Sequence, residues 1–544
     1  MEKGFGIDRI DKNISNLFTN KLRNSILQLF NYVFSTQYPS TWTKQLLRPE
    51  QKKGHTAKDP KLRGVAISQL LPALYDIMLF NRFNLWYTPN VEQAVFRPKQ
   101  GCIFQIFAVY VVMEYLKSIG KCLYVGFLDY EKAFDYVNRA NIINHLKEKG
   151  VGAKYVKAIA SMYKVTRYIP KICNKIGDAI IAKHGVTQGR QTSTSVFSFE
   201  VQDMPKNVVV PNSIIRDYNV LQLAYDSALF AEDRDLLRGA FSQCTKFSAE
   251  NYMFANVRKT VFLHLAEESD TTALQLEENT IIEAAENNEH TYLGVKFVAS
   301  NNIIRHIQKN FQGRMYNVNK FYDWLSINEF TPVKIKLQVL YTCMFNAYLY
   351  AVETWWQIEA ISKQLLALER KLLKMILCIK SNIPDDLIYL EIDRPDIMAV
   401  VKHRQCSFYK RLIFLGEEDA IVRKICSLHR HLPIIAYYEG LDLNVVKRNK
   451  SERIRDYQRG TTTYVARYHD FIDLKYNHII YDSFIPEKCR ILITRWRLSC
   501  HSLKIESGRR DPYIERHLRL CMNCTTVEDE EHAIFCCPLY DSLF

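Results

Sequence analysis

Hydrophobic positions change their spacing as the chain proceeds. In "LPALYDIMLFNRFNLWY", Leu71 to Tyr87, they recur at helical intervals, and residues 1 to about 120 mix such helices with basic loops such as "RPEQKKGHTAKDPKLRG". From 121 to 265, short apolar runs of strand length alternate with helical stretches, the pattern of an α+β core. One run, Leu123 to Leu128, stops on Asp129, and in "LQLAYDSALFAED" another stops at Asp226 and resumes after it. From about 300 to 435 the pattern is mostly helical, with apolar residues three and four apart in "QLLALERKLLKMILCIK". No fixed-period repeat or low-complexity tract interrupts this order. The strongest apolar stretch, "QIFAVYVVMEYL", is shorter than the roughly 18 to 20 residues a bilayer span needs, and it carries Glu114. No membrane association is expected.

Charge narrows the partners. The net charge of +15 over 544 residues points to a polyanion, nucleic acid first and an anionic membrane surface second. "MEKGFGIDRI" lacks the apolar core of a secretory signal. Fourteen dispersed cysteines do not form a secreted disulfide framework, so reduced thiols in the nucleus or cytoplasm are expected. Lys447 to Arg459, "KRNKSERIRDYQR", holds six basic residues against two acidic ones and reads as a linker or basic helix.

Five short motifs carry candidate chemistry. Asp129 closes an apolar strand, which brings its carboxylate to the rim of a sheet within reach of a hard cation; taken alone it also reads as a capping or turn aspartate. Phe134 and Asp135 follow at a helix start. In "KHGVTQGRQTSTSVFSFE", Gly185 and Gly189 bracket Gln188, a side chain with both a donor and an acceptor, ahead of a helical pattern. This too has a simpler reading, a glycine turn before a capped helix. Asp226 sits on the strand–turn–strand segment beside Tyr225. Lys259 in "NVRKT" precedes another strand, and "YLGV" follows from Tyr292.

Taken in this order, the motifs resemble the reverse transcriptase of non-LTR (LINE-type) retrotransposons. The resemblance begins near "KGFGID" and continues through "VFRPKQGCIFQIF", "FLDYEKAFD", "GVTQG", "LAYDSALFAED", "NVRKT", "YLGV" and "YAVETWW". It implies a right-hand polymerase fold and an RNA-directed DNA polymerase that uses dNTPs, an RNA template, a DNA primer and two Mg²⁺ ions. The implied partition is fingers at 1–120, palm at 121–298 (reverse transcriptase domain about 44–298), a helical thumb or connector at 299–440, a basic linker at 441–510 and a zinc-knuckle-like end at 511–544. Position by position, Asp129 and Asp226 match metal-binding aspartates and Phe134 the aromatic gate under the incoming sugar. Gln188 and Gly189 match the loop at the template–nucleotide pair, Lys259 a triphosphate contact and Arg97 a fingers arginine.

Two departures stand out. Tyr225 occupies the place of the first of two adjacent aspartates, a main metal ligand. A phenol, neutral at pH 7 and too long, cannot replace it, so impaired or silent polymerisation is expected. Glu131 or Asp135 are the carboxylates that would have to swing in. Ser193-Thr194 stands where the family has Ser-Pro. The alternative function is a catalytically silent nucleic-acid-binding protein or a decayed copy, and a chain starting so near the first motif is expected to lack the upstream endonuclease of such elements.

The C-terminus adds a metal-ligand pattern. Cys521, Cys524, His532 and Cys537 give C-x2-C-x7-H-x4-C, the ligand set of a tetrahedral Zn²⁺ site, with Cys536 competing for the last place. A cluster of free thiols is the other reading. The basic, aromatic stretch Arg495 to Leu520 before it suits nucleic-acid backbone binding.

Overall fold

The computed structural model describes residues 6–10, 12–51, 62–94, 97, 100–172, 175–208, 210–223, 226–276, 280–379, 383, 385–392, 394–416, 420–441, 485–498, 500–508 and 512–539. Tyr225, residues 52–61 and the basic segment 447–459 lie outside them. The described residues fall into two units, one built from the chain up to Asn302 together with Arg411–Ala436, the other from Ile303–Lys410 and the chain from Tyr437.

The first unit holds two principal sheets. β1 (Lys44–Gln51) pairs with β2 (Leu62–Ile67) on one side and, in parallel, with β4 (Thr166–Ile172) on the other; β5 (Lys175–Ile176) and β6 (Ile180–Ala182) both pair with β4. The second sheet runs in the order β10 (Leu274–Gln275), β11 (Ile281–Ala284), β9, β3, β8, β7. At its centre β3 (Leu123–Leu128) is antiparallel to β8 (Asp226–Ala231) and to β9 (Val261–Leu265). β3 is apolar throughout because it is flanked on both edges and covered by helix, the pattern of a buried strand. β7 (Val220–Leu223) forms a hairpin with β8 that closes at the pair Leu223↔Asp226.

Two helices cover this sheet. α3 (Cys102–Ser118) contains the apolar run around Glu114, and its residues Phe104 to Met113 are all buried. A helix hydrophobic on every face is a core helix, and no helix among the described residues is long and apolar enough to cross a membrane. α9 (Arg234–Glu250) is amphipathic: Asp233 caps it by accepting from the amides of Asp235 and Leu236, and Leu237, Phe241, Cys244 and Phe247 are buried. The segment from the later part of the chain returns to α3. There the His429 ring stacks on Tyr115 with centroids 3.8 Å apart, and its Nε2 lies 2.6 Å from the Tyr218 hydroxyl.

The second unit is helical. Its core includes a buried carboxylate, Glu369, which accepts from the hydroxyls of Tyr341 and Tyr389, each at 2.7 Å, and from the Ile397 amide at 2.9 Å. Burial pushes this carboxyl up to about 7.

Candidate active site and metal-ligand cluster

Asp129 follows the last residue of β3, and Asp226 is the first residue of β8. The final register pair is Leu128↔Ser227, so one step further sets Asp129 opposite Asp226. Both line a pocket of about 590 Å³ with Lys259, Arg258 and Tyr292. Asp129 is held in place by the segment that precedes β9. The Asn256 amide donates to the Asp129 carbonyl at 2.8 Å, and the Asp129 amide donates to Thr260 Oγ1 at 3.3 Å. On the carboxylate, Oδ2 accepts from Asn256 Nδ2 at 3.2 Å and pairs with Lys259 Nζ at 3.2 Å. The amides of Lys259 and Thr260 both bond the Asn256 carbonyl, and this turn aims the lysine. With its side chain 63% exposed, Lys259 retains the freedom to turn toward a ligand.

Hydroxyls lie beside the two aspartates in this pocket, which is also lined by the cations of Arg258 and Lys259. Ser227 Oγ and the Tyr292 hydroxyl, both buried, have no hydrogen-bond partner among the described residues. Burial first, and then the charge of Asp226, holds the Tyr292 phenol in its protonated form. Two carboxylates with neighbouring hydroxyls fit one hard divalent cation. Among the described residues no third carboxylate comes close enough to Asp129 and Asp226 to form a group of three or more ligands. Asp135 instead accepts from Gln188 Nε2 at 3.2 Å.

The Gln188 loop is laced to the turn after Asp129. The Gly185 amide donates to the Val137 carbonyl at 2.9 Å and the Val186 amide to the Phe134 carbonyl at 2.7 Å. Phe134 stacks on Phe197 with centroids 4.6 Å apart. The Ala66 amide donates to the Gln188 carbonyl at 2.9 Å, tying the loop to β2. Gly189 makes this approach possible: its φ is +114°, and a Cβ there would sit 2.5 Å from the Ala66 carbonyl oxygen. Arg97 is elsewhere; its guanidinium donates to the Pro89 carbonyl, and it does not line the pocket.

Several positioning residues were not singled out from the sequence. Arg139 donates to the carbonyls of Gly185 at 2.8 Å, Tyr163 at 2.8 Å and Ala182 at 2.9 Å, and to Thr166 Oγ1 at 3.3 Å. Asp76 caps the helix that follows the loop, α7 (Gln191–Glu200), accepting from the Gln191 amide at 2.7 Å and from the Thr192 hydroxyl. Arg190, buried beside Gly189, donates to the Tyr38 hydroxyl at 2.9 Å. Asn256 had a faint sequence signal, an amide side chain just before a lysine-bearing turn.

In the second unit, ligand atoms of Cys521, Cys524, His532 and Cys537 all lie within 4.8 Å of one another. Cys537 Sγ is 3.7 Å from Cys521 Sγ and 3.6 Å from Cys524 Sγ. Cys537 is buried and belongs to this group, whereas Cys536 is exposed. The Cys521 amide donates to the Thr526 carbonyl at 2.7 Å, and Thr525 takes φ +57°, which closes the C-x2-C turn. The Asn523 amide, helped by His532 and Cys537, pulls the Cys521 thiol down to about 6, and burial pushes Cys537 up to about 11. Thr526 Oγ1 lies 3.1 Å from His532 Nδ1, an outer partner that orients the ring. Three sulfurs and an imidazole form a set that could hold a metal ion, and soft ligands of this kind suit zinc.

Residues 29–297 match the family described as "Reverse transcriptase (RNA-dependent DNA polymerase)". The chain is 24% identical over 163 residues to the "Retrovirus-related Pol polyprotein from type-1 retrotransposable element R2" of Bradysia coprophila, covering 30% of this chain and 18% of that protein. It is 24% identical over 262 residues to the "Retrovirus-related Pol polyprotein from type-2 retrotransposable element R2DM" of Drosophila melanogaster, covering 46% and 24% respectively. The chain thus spans a quarter or less of the length of these curated relatives. Among solved structures, apo telomerase from Candida tropicalis aligns over 79% of this chain and 72% of that one, with a TM-score of 0.36 and 12% identity. Telomerase from Candida albicans with a fragment of telomeric RNA aligns over 81% and 68%, with a TM-score of 0.34 and 8% identity.

Proposed function

We propose that this reverse transcriptase domain, residues 29–297 of a chain related to non-LTR retrotransposon proteins, selects dNTPs against an RNA template at the end of a DNA primer. The observation that carries the reading is the meeting of Asp129 and Asp226 at adjacent strand ends, with Lys259 on Asp129, in one pocket. On this reading the chain up to about 120 supplies the fingers and 121–298 the palm, and the helical region from 299 supplies the thumb.

Asp129 and Asp226 would hold one Mg²⁺, which when bound lowers the pKa of the primer hydroxyl. Asn256 fixes the Asp129 carboxylate, so its ligand oxygens are preset. Lys259 leaves Asp129 for the triphosphate, exchanging one anionic partner for another. Gln188, braced on Asp135, presents its amide to the template–nucleotide pair, and Phe134, braced on Phe197, meets the incoming sugar. With Tyr225 in place of an aspartate, the ligand set for a second cation is short by one carboxylate. Loss of about 4 kcal/mol of transition-state stabilisation slows the reaction roughly a thousandfold. That shortage favours a second reading, a nucleic-acid-binding protein that keeps template and nucleotide selection with little chemistry. Cys521, Cys524, His532 and Cys537 would hold Zn²⁺ and fix the fold of the C-terminal end.

Nucleotide selection can be tested without chemistry. A DNA primer with a blocked 3′ end, annealed to RNA, is bound by the protein with Mg²⁺ and each dNTP in turn. The dNTP complementary to the next template base is expected to raise the salt resistance of the complex, and the other three are not. Equal effects of all four dNTPs would overturn the polymerase reading, and absence of any binding would overturn both.

A further inference from the structure

The hairpin formed by β4, β5 and β6 has an unusual surface. It carries Ile172, Ile176, Ile180 and Ile181, which are 61, 64, 55 and 59% exposed. Lys164 to Lys183 hold five basic residues and one acidic residue, Asp178. Register sorts the side chains onto two faces. Tyr168 opposes Ile180, and Ile172 opposes Lys175; with Tyr168 and Ile172 four apart on one strand, these four share a face. Arg167 opposes Ile181, and Lys171 opposes Ile176, and these make up the other face. Each face therefore presents two exposed isoleucines with at least one cation. A solvated hairpin ordinarily shows a polar outer face.

The first face is joined to the Gln188 loop, since the Tyr168 hydroxyl donates to Thr187 Oγ1 at 3.3 Å. The opposite face is anchored away from the loop, where Arg167 donates to Thr43 Oγ1 at 2.7 Å. A strand running over the Gln188 loop would thus continue onto Ile180, Ile172 and Lys175.

We propose that this hairpin is a wedge that parts base-paired template ahead of the polymerase pocket. The strand to be read passes over the face with Ile172, Ile180 and Lys175. The displaced strand passes over the face with Ile176, Ile181 and Lys171. Aliphatic side chains that enter between bases unstack them, and lysines on both sides neutralise the two phosphate backbones. The occupant is nucleic acid because the apolar surface is set among cations, which disfavours an apposed second copy of the same basic face. The proposal rests on the template-binding reading above.

The test uses the full chain and two labelled RNAs of equal length, one single-stranded and one with its 5′ half paired, carrying a fluorescent base analogue at the first pair. The parent protein is expected to bind both and to brighten the analogue. Replacement of all four isoleucines by serine removes apolar cover on both faces and is expected to weaken fork binding about tenfold. The brightening is lost, while single-strand affinity stays within about twofold. The pair Ile172→Ser/Ile180→Ser, which leaves the far face intact, is expected to give a partial loss. Lys171→Gln/Lys175→Gln should lower the salt slope on the fork by roughly 1.4 to 1.8. Equal losses on both RNAs, no loss on either, or a dimer that the serine variant abolishes would overturn the wedge. A parent that binds neither RNA would overturn the template-binding reading and the wedge with it.

Discussion

Replacing Arg139 by methionine tests how the Gln188 loop is held. The guanidinium serves three carbonyls, of Gly185, Tyr163 and Ala182. Gly185 and Tyr163 are buried, so water cannot take over their bonds. Methionine keeps the apolar stem and removes every donor. Two buried carbonyls each left unpaired at about 1 to 2 kcal/mol give a loss of about 2 to 4 kcal/mol in the first unit. Lysine in the same place keeps the charge but serves the three acceptors from a single nitrogen, and it should recover less than half of the loss. Urea unfolding followed by circular dichroism gives the magnitude. Hydrogen exchange gives the location, because the amides of Gly185 and Val186, bonded to Val137 and Phe134, should exchange faster. Stability within about 0.5 kcal/mol of the parent and unchanged exchange at these two amides would refute the reasoning.

Three further expectations follow from the geometry. Gly189→Ala places a Cβ against the Ala66 carbonyl at φ +114° and should cost about 2 to 3 kcal/mol, read by the same unfolding assay, with loss of protection at the Ala66 amide. Zinc should co-purify with the chain, measured by mass spectrometry, and Cys537→Ser should lose it where Cys536→Ser keeps it. His145, whose Nδ1 lies 3.3 Å from Glu200 and whose Nε2 lies 3.4 Å from Asp203, is raised above its ordinary range chiefly by the bond to Glu200. Its contribution is full below the ordinary histidine range and lost as pH rises through the raised value. His145→Gln should therefore cost about 1 to 2 kcal/mol near pH 5.5 and little near pH 8.5 in urea titrations.

Much of the sheet was legible because its strands report their own environment. Leu123–Leu128 is apolar at each step since both its edges and faces are covered, and the apolar run broken at Asp226 marks a hairpin of two short strands. Length and Glu114 excluded a membrane span at α3, but that this helix is buried on every face emerged only from the fold. Cys521, Cys524, His532 and Cys537 could be read from sequence, and the burial of Cys537 beside an exposed Cys536 agrees with that choice. Arg139 and Asp76 were not legible, and Asn256 only faintly so. Their partners are carbonyls, amides and a carboxylate 46, 115 and 127 residues away in sequence, and no local pattern signals a polar side chain that satisfies a distant backbone. The exposed isoleucines of the β4–β6 hairpin look, in sequence, like ordinary strand residues. Only their exposure separates them from core.

On the proposed reading, Tyr225 alone takes away a ligand from an otherwise complete polymerase site. This is tested most directly by Mg²⁺-dependent extension of a DNA primer on an RNA template, with the parent chain beside Tyr225→Asp. The account predicts extension by the aspartate variant at a rate roughly a thousandfold above the tyrosine chain. Equal extension by the two would contradict it, because another group would then have to complete the site. Absence of extension by both, with RNA binding retained, would also contradict it and favour the silent nucleic-acid-binding reading.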